Sequence, residues 1–199
     1  MNSQITLPNI LTSIRLALSP ILALLFINDE YYPSFFRYAA LLVVIVSELT
    51  DLFDGYMARK RGQVTDFGKI LDPMADSIYR DTIFLCLAVV QDVSLLLVLP
   101  ILYRDSIIST LRTVCAYKGI VVAARWSGKV KAVTQAVVII LILLLRIIAL
   151  YVPLVADYLY TMANILLSIA CIITLYSAVD YLRNLLPLIH KVDQEESVS

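Results

Sequence analysis

The sequence predicts an all-α, polytopic membrane protein with six transmembrane helices, because it is strongly apolar, contains six long apolar stretches and concentrates basic residues in alternate loops. Hydrophobic residues make up 60% of its 199 residues and charged residues only 16%, whereas an average soluble domain is about 25% charged. The mean hydropathy is +0.85. So few charges cannot cover the surface of a soluble protein of this size.

The apolar stretches approach the about 20 residues that a helix needs to cross the hydrocarbon of a bilayer. In chain order they cover residues 10–27, 35–49, 78–90, 93–111, 132–150 and 160–182. Arg15 interrupts the first stretch, so we expect no cleaved signal peptide. We expect residues 1–192 to form one domain and the polar residues 193–199 to be a disordered tail.

Basic residues set the predicted orientation. The loops near Arg59 and at residues 125–131 are rich in Lys and Arg, whereas the other loops have almost none, with Arg37 as the main exception. The positive-inside rule therefore places both basic loops and both termini in the cytoplasm, as in a protein of the inner, cytoplasmic membrane. Tyrosines cluster at the opposite helix ends, as in an interfacial aromatic belt: Tyr31, Tyr32, Tyr151, Tyr158 and Tyr160.

Composition also excludes several functions. The net charge of zero gives no basic signal for nucleic acid. Three separated cysteines, Cys86, Cys115 and Cys171, argue against a disulfide framework or a zinc site and are typical of apolar core residues. His190 is the only histidine, so a mechanism that needs a histidine base or histidine ligands is not expected.

Four aspartates interrupt the apolar pattern near the first basic loop. Asp51 and Asp54 are three residues apart, and Asp72 and Asp76 are four apart, so each pair lies on one face of a helix. A short loop between the two helices makes them antiparallel neighbours, so the two acidic faces can converge. Clustered carboxylates need a compensating cation, and oxygen ligands without His or Cys favour Mg²⁺ or Mn²⁺.

The alternative interpretation is that these aspartates cap helices or pair with surface cations such as Lys60 and Lys69. Charged groups in a membrane are costly and functional by default, which favours a site. Gly55, Ala58 and Gly68 lack bulk beside the acidic pairs. Small residues there let a ligand or a second helix approach the backbone closely.

A longer pattern contains these residues: Asp51-x-x-Asp54-Gly55-x-x-Ala58-Arg59, then eight residues, then Gly68-x-x-x-Asp72-x-x-x-Asp76. At all eight fixed positions the chain resembles the CDP-alcohol phosphatidyltransferase family. The resemblance implies the six-helix membrane fold of that family and the transfer of a phosphatidyl group from a CDP-linked lipid to an alcohol, with release of CMP. It also implies a homodimer.

The resemblance assigns roles to individual residues. It implies that Asp51, Asp54 and Asp72 bind metal and that Asp76 is the general base and also touches a metal. Two divalent cations can hold a diphosphate and stabilise both the attacking oxygen of the alcohol and the leaving oxygen of the diphosphate. The residues expected to contact the CDP-linked lipid are Asn9, Thr12, Arg15, Gly55, Ala58, Arg59 and Gly68.

The acceptor alcohol depends on looser motifs. The segments at residues 7–20 and 104–135 resemble the phosphatidylglycerophosphate synthases of the family, which implies CDP-diacylglycerol as the donor and glycerol 3-phosphate as the acceptor. Five cations around the fourth and fifth helices could bind the acceptor phosphate: Arg104, Arg112, Arg125, Lys129 and Lys131. For the two lysines, the positive-inside rule and contact with anionic lipid headgroups explain the charge equally well.

One position departs from that resemblance. Ser77 follows Asp76 where glycerophosphate synthases usually carry Lys, and Arg80, one helical turn on, can replace the charge. Inositol phosphate, serine or another polar alcohol remains an alternative acceptor. A divalent-cation transporter is an alternative of another class, but a transporter places its site near the bilayer midplane, whereas these aspartates lie at helix ends beside a basic loop.

Overall fold

The computed structural model describes the backbone of residues 7–61, 66–117 and 125–198, and the side chains of residues 13–50, 74–115, 125–185 and 187. Six helices account for almost all of it: α1 (Leu7–Ile27), α2 (Pro33–Arg61), α3 (Asp66–Val89), α4 (Leu95–Tyr117), α5 (Trp126–Ile148) and α6 (Pro153–Val198). These described segments contain no strand, which confirms the predicted all-α fold with six helices.

Three segments are long and apolar enough to cross a membrane by length and composition, namely Pro33–Thr50, Trp126–Ile148 and Pro153–Leu185. Ser13–Ile27 is a shorter apolar helix of the same kind. The chain is therefore a membrane protein by its helices, while the crossing of the bilayer by all six stays a prediction.

Prolines mark the starts of two helices. α2 begins at Pro33 and α6 at Pro153, and proline suits the first helical position because the N–H that it lacks would be unpaired there. α6 is 46 residues long, or about 69 Å at 1.5 Å per residue, so it extends well beyond the hydrocarbon. It includes residues 193–198, for which the sequence predicts disorder; the Gln and Glu residues there are good helix formers.

The turn between α3 and α4 is closed by Gln91, whose φ of 61° lies in the left-handed region. The N–H of Asp92 donates to the carbonyl of Leu87, and the N–H of Gln91 donates to the carbonyl of Ala88. This pair of bonds is a Schellman motif, which usually has glycine at the left-handed position. The motif ends α3 and places Asp92 against the helix bundle.

The six helices pack as a closed ring. Around it the order is α1, α3, α4, α6, α5 and α2, with α2 again contacting α1, and α3 also reaches α5 across the middle. We call the end of the ring at residues 28–32, 90–94 and 149–152 the outer end, and the opposite end, predicted to face the cytoplasm, the inner end.

The interior changes character between these two ends. Buried apolar side chains fill the outer half, including Leu22, Phe26, Ile83, Leu87, Val98, Ile101, Ile139, Ile142 and Leu167. Buried polar and charged side chains begin near the middle and continue toward the inner end, including Arg15, Arg80, Arg104, Asp105, Lys131, Gln135, Thr174 and Ser177. Most of the buried polar side chains in the described part of the bundle therefore lie in its inner half.

An ion cluster closes the outer end. The carboxylate of Asp29 accepts hydrogen bonds from Arg37 Nε at 3.0 and 3.2 Å and from Arg146 Nη2 at 3.1 Å. Arg146 Nε also pairs with Asp92 at 2.5 Å, and its guanidinium lies 4.8 Å from the centre of the Phe26 ring. This explains why Arg37 lies at the outer end, where the loops otherwise lack cations. Asp29 and Asp92 together balance the charges of Arg37 and Arg146 there.

Burial raises the pKa of the Asp92 carboxyl, although Arg146 acts in the opposite direction. The charged form of Asp92 is therefore stabilised mainly by Arg146, and removing Arg146 would leave a buried, unpaired carboxylate, which lowers the stability of the fold.

We expect Arg146→Gln to destabilise the protein, because the change leaves Asp29 and Asp92 buried without their shared cation. Breaking a buried ion pair costs about 3 kcal/mol or more, which corresponds to a fall of roughly 6 °C or more in the melting midpoint at this chain length. Thermal unfolding in detergent measures it. Arg183→Gln, at an exposed arginine of α6, is the control, and an equal effect of the two substitutions would contradict the prediction.

Candidate active site

The predicted acidic residues lie on two helices of the inner half. Asp51 and Asp54 belong to α2, and Asp72 and Asp76 belong to α3. The side chains of the first three lie outside the described residues. The carboxylate of Asp76 forms an ion pair with Arg15 of α1, and the exposed fractions of the two side chains are 26% and 10%. Asp76 is therefore accessible, while the cation that holds it is nearly buried.

The predicted metal site consists of four aspartates, of which only Asp76 has a described side chain. Among the described residues, no three His, Cys, Asp or Glu side chains form a group that could hold a metal ion. The donor that the structure places at the site is the partly exposed carboxylate of Asp76. Carboxylate oxygens suit hard divalent cations such as Mg²⁺ and Mn²⁺, so this described donor is of the type that such a cation binds.

Arg15 is the one predicted contact of the CDP-linked lipid whose side chain is described. It lies against Asp76, so a lipid diphosphate bound by Arg15 would lie beside the predicted base. The other six predicted contacts have side chains outside the described residues: Asn9 and Thr12 of α1, Gly55, Ala58 and Arg59 of α2, and Gly68 of α3.

A second ion pair joins the two acidic helices. Arg80 of α3 donates from Nε and Nη2 to the two carboxylate oxygens of Glu48 of α2, at 3.2 and 2.9 Å. Glu48 lies one helical turn before Asp51, and Arg80 one turn after Asp76. Arg80 therefore has a carboxylate partner of its own. By its position it could replace the lysine charge that is missing at Ser77. Sequence reasoning missed Glu48, although an acidic residue inside an apolar run was a usable signal.

Asp105 of α4 is the centre of a buried cluster in which α4, α5 and α6 meet. Its carboxylate accepts hydrogen bonds from Lys131 Nζ at 2.7 and 2.6 Å and from Arg104 Nη1 at 2.9 Å. Arg104 Nη2 also donates to Ser177 Oγ at 2.7 Å. All three residues are buried: the exposed fraction is 2% for Asp105, 5% for Lys131 and 9% for Arg104. Two predicted acceptor-binding cations therefore share one carboxylate that sequence reasoning did not assign a role.

Several polar groups around this cluster have unused hydrogen-bonding capacity. Asp81 of α3 interacts electrostatically with Asp105, Lys131, Arg80 and Arg104. Gln135, one turn from Lys131, donates to Thr174 at 3.2 Å. Asp81 Oδ1, Arg104 Nε and Gln135 Oε1 are buried and have no hydrogen-bond partner within the described part of the chain. Such groups in the interior of a bundle are typical of a polar, solvated cavity.

The remaining three predicted cations lie nearer the inner end. Arg112 of α4 donates from Nε to the hydroxyl of Tyr181 at 2.6 Å. Arg125 pairs with both carboxylate oxygens of Asp180 at 2.8 and 2.9 Å. Lys129 is exposed on α5. The structure therefore separates five cations that look alike in the sequence by the partner that each one has.

The inner half of the bundle has the chemistry of a site at the depth of the lipid headgroups. It contains an accessible carboxylate for proton transfer and cations from α1, α4 and α5 for anionic groups. The apolar outer half separates it from the other side of the membrane. A substrate with a charged headgroup and lipid chains could place each part in a matching environment.

Comparison with known proteins identifies the family. The family described as CDP-alcohol phosphatidyltransferase matches residues 5–176 of this chain. A Mycobacterium tuberculosis protein named "Probable phosphatidylglycerophosphate synthase" is 31% identical over 191 residues, which cover 96% of this chain and 87% of that protein.

Two other relatives carry the name CDP-diacylglycerol–glycerol-3-phosphate 3-phosphatidyltransferase. The one from Bacillus subtilis is 36% identical over 148 residues, covering 69% of this chain and 76% of its own length. The one from Treponema pallidum is 32% identical over 157 residues, covering 77% of this chain and 73% of its own. The resemblance of the eight-position signature is confirmed, and the chain belongs to the CDP-alcohol phosphatidyltransferase family, whose members use divalent cations.

Proposed function

We propose that this enzyme transfers the phosphatidyl group of CDP-diacylglycerol to glycerol 3-phosphate, giving phosphatidylglycerophosphate and CMP in phospholipid biosynthesis. The observation that carries the proposal is the similarity, over most of the chain, to relatives whose names specify this donor and this acceptor. The excess of Arg and Lys on α4 and α5 supports an anionic acceptor, because an uncharged alcohol needs no such partners.

In this proposal the acceptor hydroxyl attacks the lipid-linked phosphorus of CDP-diacylglycerol. The bond from that phosphorus to the bridging diphosphate oxygen breaks, and CMP leaves with the bonding electrons. Asp76 takes the hydroxyl proton, and Arg15 orients its carboxylate through their ion pair. Two divalent cations, Mg²⁺ or Mn²⁺, held by the four aspartates, would neutralise the charge of the diphosphate and of the leaving group.

Residue roles beyond these belong to the same proposal. The CDP-linked lipid contacts residues of α1, α2 and α3, namely Asn9, Thr12, Arg15, Gly55, Ala58, Arg59 and Gly68. The acceptor phosphate is bound among the cations Arg104, Arg112, Arg125, Lys129 and Lys131. These five cations have different partners in the structure, so we expect their contributions to differ.

The proposal also includes the membrane location, the domain and the oligomeric state of the enzyme. Residues 1–192 form one six-span transferase domain in the cytoplasmic membrane, and the active site opens on the cytoplasmic side, where the basic loops lie. Residues 193–199 lie outside the domain as a C-terminal extension, and the enzyme works as a homodimer. Depth favours an enzyme over a cation transporter, because the predicted aspartates lie at helix ends toward the inner end of the bundle, whereas a transporter places its site near the bilayer midplane.

The acceptor can be tested directly. We expect purified enzyme in detergent, with Mg²⁺ and CDP-diacylglycerol, to release CMP when glycerol 3-phosphate is added and not when inositol phosphate or serine is added. CMP quantified by chromatography is the measurement. Release with one of the other alcohols instead would contradict the acceptor and leave the family unchanged, and cation flux in proteoliposomes without CMP release would favour a transporter.

Asp76→Asn should lower turnover by at least about 100-fold, because the amide cannot accept the hydroxyl proton. Binding of CDP-diacylglycerol, measured by calorimetry, should largely persist. Asp157→Asn at the exposed outer end of α6 is the matched control and should keep full turnover. Normal turnover of Asp76→Asn would remove this carboxylate from the proton-transfer step.

A further inference from the structure

We propose that Glu48 is a positioning residue of the metal site, and that it acts by holding and neutralising the guanidinium of Arg80. Without Glu48, that guanidinium would pair with the metal-binding aspartates of α2 and α3, whose nearest members lie one helical turn away. The inference rests on the metal site of the proposed function. It goes beyond that function, because Glu48 and Arg80 both lie outside the eight positions of the family signature.

The contact between the two side chains is specific and largely shielded from water. Arg80 donates from Nε and from Nη2 to two different oxygens of the Glu48 carboxylate, at 3.2 and 2.9 Å. The exposed fraction of the side chain is 9% for Arg80 and 16% for Glu48. Water therefore screens these charges poorly, and each charge depends on the other for its neutralisation.

Residue spacing places both members of the pair beside the predicted metal site. Glu48 precedes Asp51 by three residues on α2, and Arg80 follows Asp76 by four residues on α3. In each case the two positions lie on one face of their helix, and four residues correspond to a rise of about 6 Å. Because α2 starts and α3 ends at the outer end of the bundle, the ion pair lies immediately on the outer side of the acidic residues.

The surroundings of the pair leave its charges no other direction in which to turn. Within the described part of the bundle, α2 and α3 do not pack against each other, and each packs on α1 instead. One turn further toward the outer end, Val44 of α2 and Phe84 of α3 are fully buried in the apolar core. A charged group that turned away from the acidic residues would have to enter this core, which is strongly unfavourable.

The loss of Glu48 would therefore direct Arg80 toward the carboxylates that are expected to bind metal. Asp76 already pairs with Arg15, so a second cation there would leave less negative charge for a metal ion. An arginine beside the site also repels a divalent cation directly. Glu48 prevents both effects, because it supplies a carboxylate that the metal does not need. It also cancels the charge with which Arg80 could replace the lysine missing at Ser77.

The test measures Mn²⁺ binding to the purified enzyme without substrates, from the electron paramagnetic resonance signal of the Mn²⁺ that stays free. Glu48→Gln keeps the size of the side chain and removes its charge. We expect it to weaken Mn²⁺ binding about 10-fold, because an unneutralised cation then lies one turn from the site. In steady-state assays, the apparent KM for Mg²⁺ should rise by a similar factor, with little change in kcat at saturating Mg²⁺.

Two further variants separate neutralisation of charge from a purely structural link between α2 and α3. Arg80→Gln should bind Mn²⁺ at least as tightly as the unmodified enzyme, because it leaves an additional carboxylate beside the site. In the double variant Glu48→Gln with Arg80→Gln, the affinity for Mn²⁺ should return to within about 2-fold of the unmodified enzyme. A structural link would be lost in all three variants, and all three would then bind Mn²⁺ weakly.

The matched control for general loss of stability is Asp29→Asn. It removes the carboxylate partner of an arginine, Arg37, at the opposite end of the bundle. This variant should unfold at a lower temperature than the unmodified enzyme and should bind Mn²⁺ with unchanged affinity.

Several results would overturn the inference while the proposed function stands. They are unchanged Mn²⁺ binding in Glu48→Gln, weak binding in Arg80→Gln or in the double variant, and an equal loss of Mn²⁺ affinity in Asp29→Asn. If the unmodified enzyme bound no Mn²⁺, the metal site of the proposed function would itself be wrong, and this inference with it.

Discussion

The carboxylate of Asp105 holds together the half of the bundle in which the chemistry is expected. It lies on α4 and forms ion pairs with Lys131 of α5 and with Arg104 of its own helix, and Arg104 in turn donates to Ser177 of α6. Removing charges from water costs several kcal/mol per ion unless partners and hydrogen bonds compensate. This one cluster therefore connects α4, α5 and α6 through buried polar contacts.

The cost of removing charges from water also divides the molecule into two halves. In the outer half, apolar side chains such as Leu87 and Ile142 pack closely, and the cluster around Arg146 seals the end. In the inner half, ion pairs replace much of that packing, and Asp76 stays accessible beside Arg15. A lipid-handling enzyme with a water-soluble second substrate needs such a division, since its reaction takes place where the two phases meet.

Much of this could be predicted from the sequence, because hydropathy and residue spacing depend on the chain alone. The six helices and the family were predicted correctly, whereas the binding roles of the cations of α4 and α5 stay a prediction. The partners of those cations were not predicted, because Asp105, Asp180, Glu48 and Tyr181 meet them only through the order of helices around the ring. Neighbours in that ring, such as α4 and α6, are not neighbours in the sequence. α6 also continues to Val198, well past the last apolar stretch of the sequence, since a helix can continue into water when its residues favour it.

The ring consists of three antiparallel hairpins, α1 with α2, α3 with α4 and α5 with α6. Three of the ion pairs join different hairpins: Arg15 pairs with Asp76, Glu48 with Arg80, and Asp105 with Lys131. Each hairpin that leaves the ribosome and enters the bilayer alone therefore carries charges that only a later or earlier hairpin can neutralise. Assembly is complete only when all three hairpins are present. A newly made chain that lacks one hairpin exposes an unpaired charge to lipid. Membrane proteases and chaperones can distinguish such a chain from the assembled enzyme.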